Sequence, residues 1–334
     1  MLKIVHSIEE LIGHTPLMEL ERYEKAAGVR AHLLAKLECY NPSGSVKDRA
    51  ALNMLQSAEQ EGRIRPGDTI VEQTSGNTGI GIAAIACARG YKVDIFLERG
   101  ASLERRLLLE AYGVRLLDYR DALGIKTEEE RLLGWREPDR EATIREIRAY
   151  CEREGAYFLN QAYNEANPQA HIKTTGPEIW EATDGHVDIL VCMAGTGGTG
   201  SGISSYLREK NPGLKVVLVQ PHPDCRLSPA HPDVDIIDGV LPAYGVPEDE
   251  LSRFLTPEWS DECIDIRMEE ACETARQLVR TEGMLMGTSS CAALHAAASV
   301  GRRSGNEGKN IVVIMPDNGL KYLSTPLFRV SRAC

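Results

Sequence analysis

Val187-Asp-Ile-Leu-Val-Cys-Met-Ala194 is nearly continuous in its apolar character and runs directly into Gly195-Thr-Gly-Gly-Thr-Gly200. Such a run predicts a strand covered on both faces, the mark of a largely parallel sheet between helices. A helix is expected through Leu207, then the strand Lys215-Val-Val-Leu-Val-Gln220. The alternation recurs along the chain. Thr69-Ile-Val-Glu72 reads as a strand, followed by the turn Thr74–Gly79 and by Ile80 to Arg89, a helix apolar on every face and so buried. Gly90 ends it; Lys92–Leu97 is the next strand and Leu103 to Tyr112 the next helix. Ile311-Val-Val-Ile-Met315 is the last clear strand. Strands alternating with helices over 334 residues predict an α/β protein of about two domains.

The glycine loop after Ala194 satisfies G-x-G-x-x-G, follows a strand and opens a helix, which is the context of a dinucleotide site. That reading requires an acid at the end of the next strand to hold a ribose, and the residue there is Gln220. The glycines with the hydroxyls of Thr196 and Thr199 instead suit a single phosphate at a helix N-terminus. Thr74-Ser-Gly-Asn-Thr78 is a second strand-to-helix turn with exposed amides and hydroxyls, suited to a carboxylate or to simple helix capping. In Asn41-Pro-Ser-Gly-Ser-Val-Lys47-Asp-Arg49 a tight bend precedes a helical pattern that Gly62 stops. Ser45 is placed to cap this helix, with Asp48 completing a capping box. Lys47 then lies in the first turn, where the helix dipole disfavours an ammonium. An amine held toward its neutral form can attack an aldehyde and form an imine.

These motifs, in this order and with Gly287-Thr-Ser-Ser290 after them, resemble the cysteine synthase / cystathionine β-synthase family of pyridoxal-phosphate enzymes. The likeness runs from Ile12-Gly-His-Thr-Pro-Leu17 to Lys321-Tyr-Leu-Ser-Thr325 and takes in Ser102-Leu-Glu-Arg-Arg106 and Thr174-Thr-Gly-Pro-Glu-Ile179. It is closest to the O-acetylserine sulfhydrylase type. The resemblance implies fold type II, like the tryptophan synthase β chain: two α/β lobes with mainly parallel sheets and the cofactor between them. Residues 1–40 with 156–334 would form the larger lobe, and 41–155 the smaller, mobile one. Lys47 would hold pyridoxal 5′-phosphate as an imine and then move the α-proton. Gly195, Thr196, Gly197, Gly198 and Thr199 would hold the phosphate, Asn77 the ring hydroxyl and Ser289 the pyridine nitrogen. Thr74, Ser75, Gly76, Thr78 and Gln161 would bind the substrate carboxylate. Cys291 stands where the family more often has glycine.

The implied reaction is β-replacement on an activated L-serine, led by O-acetyl-L-serine and sulfide giving L-cysteine, in a cytoplasmic homodimer. Cystathionine synthesis, phosphoserine-dependent cysteine or diaminopropionate synthesis, and cysteine desulfhydration are the alternatives within the class; an NAD-dependent oxidoreductase is the distant one. A phosphoserine donor would call for an arginine, and Arg226, just past strand Lys215–Gln220, is the candidate. Asp224 is near enough in sequence to pair with it, and a solvated loop arginine is the plainer expectation.

The net charge of −11 without a basic patch argues against nucleic acid. No apolar run approaches the roughly 20 residues of a membrane span, and the N-terminus carries no export signal. Nine scattered cysteines without a C-x-x-C pair read as reduced thiols, with Cys87 and Cys192 as buried apolar groups. Neither they nor the histidines show metal-ligand spacing. Asp118 to Glu154, charged and anchored by Leu132, Leu133 and Trp135, is expected to be a peripheral helical excursion.

Overall fold

The computed structural model describes residues 4–97, 101–118, 140–193, 195–226, 234–247 and 251–328. The strands in chain order are β1 (Leu17–Glu19), β2 (His32–Leu37), β3 (Thr69–Thr74), β4 (Lys92–Leu97), β5 (Arg115–Asp118), β6 (Tyr157–Phe158), β7 (Ile189–Met193), β8 (Lys215–Pro221), β9 (Glu262–Ile266) and β10 (Asn310–Met315). They form two sheets, ordered β1-β2-β10-β7-β8-β9 and β5-β4-β3-β6. All pairings are parallel except β1 with β2.

The helices are α1 (Glu21–Ala27), α2 (Lys47–Gln60), α3 (Asn77–Arg89), α4 (Leu103–Ala111), α5 (Arg140–Glu154), α6 (Ala166–Lys173), α7 (Thr175–Ala182), α8 (Gly198–Lys210), α9 (Met268–Glu282) and α10 (Thr288–Gly301). One face of the larger sheet packs Leu33, Val191, Val217 and Val313 against Ala275 and Leu278 of α9 and Leu294 and Ala297 of α10. The other packs Leu190, Val216 and Val312 against Ile179 of α7 and Ile203 and Leu207 of α8. Adjacent residues of each strand therefore face opposite helical layers, which is why these strands are apolar at nearly every position. In the smaller sheet Ile70 and Ile95 meet α2 and α3.

Three expectations need correction, and a fourth, the lack of metal-ligand spacing, meets one surface cluster. The smaller sheet takes in β6, whose Tyr157 and Phe158 pair with Ile70 and Val71, so the chain stays with that sheet beyond a boundary at 155/156. Leu132, Leu133 and Trp135 lie outside the described residues, but α5 is not peripheral: its Ile147, Tyr150 and Cys151 cover Val71 and Phe96. Cys192 is buried, whereas Cys87 is exposed, its thiol 3.0 Å from Tyr112 O. Finally, the fold gathers Glu19, Glu24 and His32 at the surface although their sequence spacing carries no metal pattern. His32 pairs with Glu19 at 2.6 Å and Glu24 accepts the Leu33 N–H at 2.5 Å, so the three already satisfy one another and the backbone.

Candidate active site

Three chemistry-bearing motifs follow the carboxyl ends of parallel strands: β3 delivers Thr74–Thr78, β7 the Gly195–Thr199 loop and β10 the segment Asp317–Tyr322, whereas Gly287–Ser290 follows α9. Lys47 follows β2 through a tight bend at Gly44, whose φ is 81°. Ligands collect at this end of open α/β sheets because loops diverge there and helix N-termini converge.

Lys47 opens α2, as expected, but no capping box forms. Ser45 Oγ accepts the Lys47 N–H at 3.3 Å, while Asp48 turns back to hold Ser43 through its N–H at 2.7 Å and its hydroxyl. The Lys47 residue keeps some exposed surface, yet burial of its amine pulls the pKa below the ordinary lysine value, against the raising effect of the Asp317 charge. Next to it, Arg49 donates to Glu38 at 2.7 and 2.9 Å and to Glu178 at 2.6 and 2.7 Å. That cluster fixes the first turn of α2 to the residues ahead of it and to α7.

The phosphate-type loop requires glycine. A Cβ on Gly197, whose φ is 84°, would lie 2.1 Å from Phe254 O, and one on Gly198 would lie 2.4 Å from Asn167 Oδ1. Backbone thus lines the N-terminus of α8, with N–H groups free of intrahelical partners. Two residues without a sequence-assigned role brace its hydroxyls. Asn167 Nδ2 donates to Thr196 Oγ1 at 3.1 Å, and His171 Nε2 lies 3.1 Å from Thr199 Oγ1. Burial, with the positive charges of Arg49 and Lys47, holds the His171 pKa well below its ordinary value, so the ring is neutral.

At the other turn Thr74 Oγ1 accepts the Gly76 N–H at 3.0 Å; Gly76 is itself the N-cap of α3 and no side chain caps that helix, so the capping reading of this threonine fails. Thr78 donates to Gln161 Oε1 at 2.7 Å, bringing those two candidates together. Gln161 is placed by Glu72, whose carboxyl accepts its N–H at 3.1 Å. Burial pushes Glu72 up to about 8, opposed by the N–H groups of Gln73, Gln161 and Asn160. A raised folded-state carboxyl favours folding below its unfolded pKa and loses that contribution as pH rises through about 8. The gap in melting temperature between wild type and Glu72→Gln should therefore change between pH 5 and 9, wild type losing ground as pH rises. Parallel curves would mean that Glu72 does not titrate there.

Asn77 is held at both ends: Nδ2 donates to Asp317 Oδ2 at 2.7 Å, and Lys321 Nζ donates to Oδ1 at 3.0 Å. Asp317 is fully buried, accepts Tyr322 OH at 2.6 Å on the same oxygen, and leaves Oδ1 unpartnered. Asp317 and Lys321 were not among the sequence candidates; the first follows the last strand, and the second opens one of the motifs quoted for the resemblance. Ser290, not Ser289, bonds the backbone of Asp317, at 3.0 Å. Ser289 is buried with its hydroxyl engaged by none of the described residues.

Gln220, which stands in place of the acid of a dinucleotide site, and the candidate Arg226 both lie apart from this cluster. Gln220 accepts the N–H groups of Ala243 and Tyr244 at 2.8 and 2.9 Å and donates to Asp265 at 2.7 Å, which is structural work. Arg226 does not pair with Asp224; it donates to Pro221 O at 3.0 Å, and Asp224 pairs with Arg267 at 2.7 Å. A lysine with a desolvated amine, a backbone cradle only glycine can form and an unengaged buried serine hydroxyl fit a phosphorylated aldehyde.

Residues 8–317 match the family described as pyridoxal-phosphate dependent enzymes. The chain is 38% identical to a cysteine synthase of Staphylococcus aureus strain Mu50, over 98% of each protein. Among solved structures it resembles O-acetyl serine sulfhydrylase isoform 3 from Entamoeba histolytica, with 34% identity, a TM-score of 0.79 and coverage of 99% of this chain and 94% of that one. It also resembles an O-ureido-L-serine synthase, with 33% identity, a TM-score of 0.81 and coverage of 98% and 96%.

Proposed function

The chain belongs to the pyridoxal-phosphate dependent enzymes, and from that premise we propose how its residues carry out β-replacement on an activated L-serine. O-acetyl-L-serine and hydrogen sulfide give L-cysteine and acetic acid, the reaction of the cysteine synthase type. The observation that carries the reading is the Lys47 amine, desolvated at the start of α2 where the strand ends converge. An amine with a lowered pKa is available both to bind an aldehyde and to take a proton from carbon.

Pyridoxal phosphate, when bound, supplies the sink for the electrons left as the α-proton departs. Gly195 to Thr199 hold its phosphate through backbone N–H groups and the two braced hydroxyls. Asn77, fixed by Asp317 and Lys321, keeps one amide hydrogen for the ring hydroxyl. Ser289 offers the ring nitrogen a neutral hydroxyl, which does not hold a proton there as a carboxylate would. Thr74, Ser75, Gly76, Thr78 and Gln161 receive the substrate carboxylate at the N-terminus of α3, where the helix dipole favours an anion. Lys47 takes the α-proton once the amino acid has displaced it.

The smaller sheet, carrying Thr74–Thr78, acts as the mobile lobe against the larger one. A homodimer working in the cytoplasm completes the proposal on family likeness; equilibrium sedimentation at one chain mass would remove the dimer. Among the described residues no helix is long and apolar enough to cross a membrane. The experiment that tests the reaction mixes holoenzyme and O-acetyl-L-serine with sulfide, homocysteine or an amine in turn. Turnover of O-acetyl-L-serine fastest with sulfide, giving cysteine, supports the assignment; faster turnover with another acceptor replaces it.

A further inference from the structure

Arg105 is 1% exposed on α4; its Nη2 makes an ion pair but no hydrogen bond. Its Nη1 donates to Ser75 O at 2.8 Å, Nε donates to Ser102 Oγ at 3.1 Å, and Nη2 lies 2.8 Å from Asp238 Oδ1. Its guanidinium carbon stands 4.9 Å from the centre of the Tyr322 ring, and Tyr322 donates to the Asp317 that holds Asn77. Gly76, with φ at 141°, packs so tightly on this side chain that a Cβ would lie 2.5 Å from Arg105 Cδ. The arginine is thus wedged into the elbow of the Thr74–Thr78 turn.

Asp238 reaches it from the other half of the site. Its neighbour Gly239 touches both loops: a Cβ on Gly195 would lie 3.0 Å from Gly239 O, and one on Gly239 would lie 3.5 Å from Ser75 Oγ. The same segment is pinned to β8 through Gln220. A guanidinium and a carboxylate, both buried, hold each other where neither would be tolerated alone.

We propose that the Arg105–Asp238 pair sets the position of Ser75, and so of the amino-acid carboxylate site, relative to the Gly195–Thr199 loop. It rests on the reading of Thr74–Thr78 as the carboxylate turn. Arg105 is a positioning residue: it meets the backbone of the turn and not the amino acid. Its planar fork reaches Ser75 and Asp238 at once, which an ammonium on a single stem cannot do.

The probe is L-alanine, which carries the carboxylate and amine without a β-leaving group, added to holoenzyme and followed by the absorption of the bound cofactor. Its Kd should rise about tenfold in Arg105→Met and in Asp238→Asn and rise no further in the double variant, since both changes break one pair. Arg105→Lys should recover little. Pyridoxal phosphate affinity should stay within about twofold, and KM for O-acetyl-L-serine should rise more than kcat falls. Additive losses, a matching fall in cofactor affinity, or lowered thermal stability with unchanged L-alanine binding would each overturn the proposal. If Arg105→Met does not fold, Asp238→Asn, which keeps the side-chain shape, decides alone. Thr74→Ala separates the two layers: unchanged L-alanine affinity there removes the carboxylate reading itself. A loss in Thr74→Ala without one in Asp238→Asn removes only the role of the pair.

Discussion

Replacing Lys47 with methionine is expected to slow β-replacement by about 10³-fold or more, because it removes the amine that binds the aldehyde and moves the proton. The fold should survive. The Lys47 amine is desolvated and has no hydrogen-bond partner among the described residues, so an apolar side chain of similar length removes a cost rather than a contact. The melting temperature should be unchanged or higher. Borohydride reduction of wild-type holoenzyme, followed by peptide mapping, should place the cofactor on Lys47 and nowhere else. Label at another lysine, or turnover retained in the variant, would end the assignment.

Two residues further on, Arg49→Met should do the opposite and unfold the protein readily. Arg49 faces two carboxylates, of which Glu38 is fully buried. Thr15 Oγ1 and Asn41 Nδ2 also donate to Glu38, at 2.6 and 2.9 Å, and Lys36 pairs with Glu178 at 2.7 Å. Removing the guanidinium strands buried charge, at a cost of about 3–5 kcal/mol, or about 4–7 °C in melting temperature for a chain of this size. Adding Glu38→Gln to the variant should restore part of the loss. The pH dependence is specific. Burial raises the Glu178 carboxyl, but its bonds to Arg49 and Lys36 win and bring it down to about 2. A depressed folded-state pKa stabilises above the unfolded value and fades as pH falls, so the gap between wild type and Arg49→Met should narrow from about pH 4.5 toward pH 2. A constant gap across that window would show that Arg49 acts by packing alone.

The α/β alternation was legible because doubly covered strands such as β7 and β10 are apolar at almost every residue. β1 and β9 were not: they are short and carry Glu19, Glu262 and Asp265 among their few residues, a pattern that local sequence does not separate from loop. The loops that expose backbone to a ligand announced themselves through glycine. What stayed hidden was the buried polar scaffold. Arg105, Glu178 and Tyr322 lie inside motifs visible in the sequence and Asn167 in none of them, and their work depends on partners such as Asp238 and Asp317 that chain spacing does not reveal. The capping box failed for a related reason: Asp48 had a closer use in holding Ser43.

The placement of β10 between β2 and β7 has a consequence for how the chain is made. β2 pairs along its length with a strand that leaves the ribosome on the order of tens of seconds later, at about 5–20 residues per second. Until then Leu33, Ala35 and Leu37 lack the neighbour that covers one edge of their strand. The segment holding β3, β4 and β5 is contiguous in sequence and has its partners at hand much earlier. Nascent chains should therefore carry an ordered smaller sheet beside an unfinished larger one, and the Lys47 environment, which includes Asp317, is assembled only once β10 has emerged.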